Sequence, residues 1–100
     1  MITSKQRAYL RGLANPLETI FQIGKGGITE ELASQVGNAL NARELIKLHV
    51  LETCEYTARE AADGLSEVLG AEVVSVVGNR FVLYRPSDNE KKRKIDLSLI

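Results

Sequence analysis

The spacing of apolar residues changes several times along the chain, and each change marks an element. Tyr9, Leu10 and Leu13 form an apolar stripe at helical spacing, while Lys5, Arg7 and Arg11 decorate other faces. Thr3 and Gln6 have the T-x-x-Q spacing of a capping box, which opens this helix near Ser4. Gly12 and then Asn15-Pro16 are expected to end it. A short strand follows from Thr19 to Ile23, with Ile20 and Phe21 as its β-prone members. Gly24-Lys25-Gly26-Gly27 then forms a glycine loop.

Thr29 is placed to cap a second helix, with Glu30 and Glu31 suited to its positive end. Leu32, Val36, Ala39 and Leu40 give that helix its apolar face, and Asn41 is expected to end it. Residues 44–51 read as a strand with Ile46, Leu48 and Val50 on one face and Leu45, Lys47 and His49 on the other. Thr57 and Glu60 repeat the capping-box spacing. The third helix then places Ala58, Ala61, Ala62, Leu65, Val68 and Leu69 together, and Gly70 stops it. Residues 72–77 form a strand, Gly78-Asn79 signals a hairpin turn, and Arg80 to Arg85 return. Pro86 breaks the ladder.

The order is therefore α-β-α-β-α-β-β. Strands separated by helices favour parallel pairing, whereas the last two form an antiparallel hairpin. The expected fold is a single α/β domain spanning 1–100, a mixed four-stranded sheet packed by helices, with its core at about 4–86. The tail, 87–100, starts polar and basic and ends in the alternation Ile95, Leu97, Leu99. It is read either as disordered or as a loosely docked short strand.

Composition adds exclusions. A chain of 100 residues supports one domain. No apolar run reaches the roughly 18 residues of a membrane span, and MITSKQRAYLRGL lacks a signal-peptide core. A lone cysteine, Cys54, rules out an internal disulfide and a multi-thiolate metal site, which fits a reducing cytoplasm.

The net charge of zero hides a strong segregation. Lys5, Arg7, Arg11 and Lys25 face only Glu18 in the first quarter. Arg59 stands alone against Glu52, Glu55, Glu60, Asp63, Glu67 and Glu72. The end is basic again, with Arg80, Arg85 and the run Lys91 to Lys94. This pattern predicts one cationic side, with the acidic third helix turned away from any polyanion.

The glycine loop is the most informative candidate site. Gly24 and Gly27 have G-x-x-G spacing, and Gly26 adds a third glycine. Backbone without Cβ atoms can approach a phosphate closely, the following helix N-terminus attracts anions, and Lys25 supplies a cation. The spacing alone is weak, because such turns are often only turns. The loop is neither a Walker loop nor a dinucleotide fingerprint. Arg7 and Arg11, four apart, can straddle successive phosphates. Arg85 and the 91–94 run are secondary candidates. Tyr9, Phe21, Tyr56, Phe81 and Tyr84 do not form a paired stacking platform; Phe21, Phe81 and Tyr84 are expected in the core. His49 and Cys54 do not make a nucleophilic site, so no catalysis, metal or cofactor is expected.

The run KQRAYLRGLANPLETIFQIGKGGITEELASQVGNALNARELIKLHVL and the hairpin VVSVVGNRFVLYRP closely resemble the YhbY-type CRM domain, the chloroplast RNA splicing and ribosome maturation module. The matching features run in family order over residues 4 to 86. The resemblance implies the same α-β-α-β-α-β-β order and a fold similar to the C-terminal domain of translation initiation factor three. It implies RNA contact at Gly24, Lys25, Gly26 and Gly27, and by the first-helix residues Lys5, Arg7 and Arg11. Stand-alone bacterial members look like factors bound to large-subunit ribosomal precursors, and plant members assist group II intron splicing. The expected partners are thus large-subunit rRNA and ribosomal proteins, met by a cytoplasmic monomer with no membrane contact. The competing readings are a protein-interaction module whose glycine loop is only a turn, and a hydrolase of a small phosphorylated ligand. The hydrolase lacks a general base at a recognisable spacing from the loop.

Overall fold

The structure, a computed structural model, describes residues 2–89, 91, 93–98 and 100. Its elements are α1 (Ser4–Ala14), β1 (Thr19–Ile23), α2 (Glu30–Arg43), β2 (Leu45–Val50), α3 (Ala58–Leu69), β3 (Glu72–Val77) and β4 (Arg80–Tyr84), in the order expected from the sequence. Both capping boxes form: Thr3 accepts from the Gln6 N–H and Thr57 from the Glu60 N–H, each at 3.1 Å, and each N3 side chain reaches back. Gly70 closes α3 in the left-handed conformation.

Asn15-Pro16 ends α1 as expected, whereas α2 runs longer than expected. α1 continues through Gly12, where a side chain would meet open space, and stops at Ala14 before Pro16. α2 runs past Asn41 to Arg43, because Asn41 turns its amide oxygen to Arg85, 3.0 Å away, and does not cap. The helix ends where Glu44 adopts a left-handed φ of 66°.

The four strands lie in the order β1-β2-β4-β3. β1 and β2 are parallel, while β4 is antiparallel to both its neighbours. Alternation along β2 and β4 divides the core. Ile46, Leu48, Val50, Phe81 and Leu83 face α2 and α3, meeting Val36, Leu40, Ala61, Ala62 and Leu65. Leu45, Val82 and Tyr84 face the other way, against Leu10 and Ala14 of α1. Phe21 is only partly buried at the rim of the first cluster. Val68, expected on the apolar face of α3, is 68% exposed: the helix buries the stripe of Ala58, Ala61, Ala62 and Leu65, and Val68 lies beside it.

Described residues of the tail dock on the domain and form no strand. Ile95 and Leu97 pack on the α1-side cluster, and the Gln6 amide donates to the Leu97 carbonyl at 3.2 Å. Its anchor is Glu44, fully buried, whose carboxylate accepts from the backbone N–H groups of Ser87 at 2.8 Å, Ile95 at 3.0 Å, and Lys94. Lys92 and Leu99, counted in the basic run and the apolar alternation, lie outside the described residues.

Candidate nucleic-acid interface

The glycine loop begins where β1 leaves the sheet. The Leu51 N–H holds the Ile23 carbonyl at 2.8 Å, and the Gly27 N–H closes a turn on the Gly24 carbonyl at 2.9 Å. The three glycines have different reasons. Gly27 has φ +65°, and a Cβ there would also stand 3.1 Å from the Tyr56 ring. Gly24 has room for a Cβ in ordinary contact with Leu51 and Thr53. Gly26 has no positive φ, and a Cβ there would meet nothing within 4 Å. The fold demands a glycine at 27 only. Gly26 leaves bare backbone at an exposed turn tip, beside the exposed Lys25.

This gives a paired prediction. Gly27→Ala should cost about 1–2 kcal/mol from the left-handed backbone. Gly26→Ala should leave stability unchanged or raise it by up to about 1 kcal/mol. Urea unfolding of the two variants checks both.

Acidic residues limit where an anion can sit. Glu30 and Glu31 occupy the first turn of α2, and the connection carrying exposed Glu52 and Glu55 passes beside the loop. A phosphate is favoured at the Lys25–Gly26 tip and on the side of the sheet that α1 covers.

That side is rich in cations, and Glu72 of β3 also turns to it, near Arg7. Lys5 and Arg11 are exposed; Arg7 is half-buried, its Nε donating to the Val73 carbonyl at 3.4 Å. Arg7 and Arg11 share one side of α1, with Ser75 of β3 beside both. Lys5 lies two residues from Arg7 and projects from a different side, so the structure does not bring it into their line.

Register extends the surface beyond what the sequence identified. Gln22 pairs with His49, His49 with Arg80, and Arg80 with Val77, so these four lie in one row across the sheet. By alternation with Leu45 and Val82 they face the α1 side, in the part of the sheet beyond the end of that helix. Four adjacent strands span about 14 Å. Lys47 joins them, its Nζ donating to the Asn15 carbonyl at the end of α1 at 3.4 Å. The row leads from Gln22, two residues before the glycine loop, to Arg80 and on to Arg11. Lys47 and Arg80 were missed as site residues, although the polar half of each strand's alternation contained the signal.

Arg85 has another task. One Nη donates to the Leu69 carbonyl at 2.8 Å, and the other to the Gly37 carbonyl and the Asn41 amide oxygen at 3.0 Å. Its guanidinium thus ties the end of α3 to the middle of α2 and is not presented to a ligand, which corrects its reading as a phosphate contact. In the tail, Lys91, Arg93 and Lys94 are exposed, with Arg93 Nε held on the Ser87 carbonyl at 3.0 Å. No group of three or more histidine, cysteine or carboxylate side chains that could hold a metal occurs among the described residues.

Known proteins resemble the whole chain. The relative named "Probable RNA-binding protein YqeI", from Bacillus subtilis, is 41% identical over 92 residues, covering 92% of this chain and 96% of its own. An "RNA-binding protein" of Haemophilus influenzae is 34% identical over 90 residues, covering 90% and 91%. The solution structure of the hypothetical protein SAV1595 from Staphylococcus aureus superposes with a TM-score of 0.77 at 45% identity, covering 96% of this chain and 100% of that one. The CRS1 / YhbY (CRM) domain model matches residues 2–85, and the chain belongs to that family.

Proposed function

We propose that this protein binds RNA without catalysing a reaction, and that it works as a ribosome-assembly factor on precursors of the large subunit. The Gly24–Gly27 loop positions the RNA backbone, Lys25 pairs with a phosphate, and Arg7 and Arg11 extend the track, now joined by Lys47 and Arg80. Lys5 and the tail cations contribute at longer range. The observation that carries the reading is Gly26: a glycine that neither conformation nor space requires, at an exposed turn beside an exposed lysine. The names of the relatives support RNA as the partner. The working state is a cytoplasmic monomer on a particle of rRNA and ribosomal proteins.

Gradient sedimentation tests the biological half. Tagged wild type should co-migrate with a large-subunit precursor, and a folded Lys25→Glu, Gly26→Glu variant should not. If both stay at the top, the ribosomal reading fails. If both co-migrate equally, the loop is structural. Co-migration that survives ribonuclease treatment would favour the protein-interaction reading. Salt tests the physical half. With about five phosphates neutralised on a single strand, log K falls against log salt with a slope near −3.5, and a flat dependence removes the electrostatic clamp.

A further inference from the structure

The open part of the sheet contains a shaped cleft. It measures about 300 Å³ and lies between the end of α1 and the β3–β4 hairpin. Val77, Val82 and Ala14 give it an apolar floor, while Arg11, Lys47 and Arg80 stand around it. No carboxylate lines it among the described residues. Val77 is 73% exposed, an aliphatic face left in water among three cations.

A β-bulge builds this arrangement. β3 slips register against β4 between Val73 and Ser75. Strict alternation from Val74, which faces α1, would bring Val76 to the same side. Instead Val76 packs with α2 and α3, and Ser75 and Val77 both turn into the cleft.

We propose that this cleft receives one unpaired nucleobase of the bound RNA strand, with the phosphates on either side held by Arg11 and Arg80. The inference rests on the RNA-binding reading above and adds to it a preference for single strands. An apolar floor fits the face of a base, and the surrounding cations fit what is attached to it. The Ser75 hydroxyl and the Asn15 amide, neither engaged in a side-chain hydrogen bond among the described residues, are available to the base edge. A base held in a duplex stack cannot enter, because its faces are covered by its neighbours.

The test is methyl and amide NMR of the full chain, titrated with single-stranded hexaadenylate and hexauridylate and then with a blunt, G·C-rich RNA duplex. Single strands should shift the Val77 and Val82 methyls together with the Lys25–Gly27 amides, and the duplex should shift the loop alone. Val77→Asp, at an exposed position that leaves the fold intact, should weaken single-strand binding roughly tenfold and duplex binding less than twofold. If loop amides move at saturation while both valines stay still, the cleft inference is overturned and the RNA reading stands. Equal losses for both RNAs in Val77→Asp also overturn it, since the added charge alone would then explain them. If neither region responds to any RNA, the RNA reading itself fails, and the cleft inference with it.

Discussion

Replacing Glu44 by alanine is expected to destabilise the protein by on the order of 3 kcal/mol, a large share of the stability of a domain this size. The carboxylate is fully buried and accepts three backbone N–H groups from residues 43 to 51 positions away. Truncation leaves three donors without an acceptor, loosening Ile95 and Leu97 from the cluster that holds Leu10 and Tyr84. Glu44→Gly should be less damaging than Glu44→Ala by about 1 kcal/mol, because glycine tolerates the φ of 66°.

Acid should reproduce part of this loss. Burial pushes the Glu44 carboxyl up, but the N–H groups of Lys94, Ser87 and Ile95, with Arg93 nearby, outweigh it and hold the group below the ordinary glutamate value. A group depressed in the folded state contributes fully above its unfolded value. Its contribution drains away as pH falls from about 4.5 through the lower folded value. Urea midpoints between pH 7 and pH 3 should therefore fall more steeply for wild type than for Glu44→Gln. Parallel curves would show that the carboxylate charge does not hold the tail.

Arg85→Leu should cost about 2–3 kcal/mol and leave RNA affinity unchanged at temperatures where the variant is folded. The guanidinium reaches three acceptors on two helices, including the Leu69 carbonyl at the negative end of α3. Arg85→Lys should recover less than half of the loss, since one ammonium cannot span that fork. Urea unfolding with RNA titration checks both quantities. Weakened binding at unchanged stability would return Arg85 to the phosphate contacts.

These two residues also mark where sequence reasoning stopped. Local signals were legible: capping boxes at Thr3 and Thr57, the Gly70 stop, the alternation in β2 and the Gly78-Asn79 turn all depend on residues a few positions apart. Glu44 and Arg85 act between elements that pattern does not bring together. A glutamate before an apolar strand looks like surface, and an arginine before a proline looks like a free cation. The site divides the same way. The glycine loop was visible as a local motif, but part of the reason for Gly27 is Tyr56, which lies 29 positions away in sequence. The row through Gln22, His49 and Arg80 needed the strand order. The tail's apolar alternation looked like a strand, yet its N–H groups pair with a side chain.

The separation of charge on opposite faces of the sheet explains how a chain of zero net charge can hold a polyanion. Exposed Lys5, Arg11 and Arg80 stand on the α1 side, and exposed Glu60, Asp63 and Glu67 on α3 behind it. The shortest dimension of the molecule, 22 Å, is more than twice the screening distance of about 8 Å at physiological salt. Mobile ions therefore hide the rear carboxylates from anything bound in front. At longer range the two sides cancel, and a distant polyanion exerts a torque and almost no pull. If it binds RNA as proposed, the protein would turn its front toward the strand as it arrives and gain attraction only within about the last nanometre.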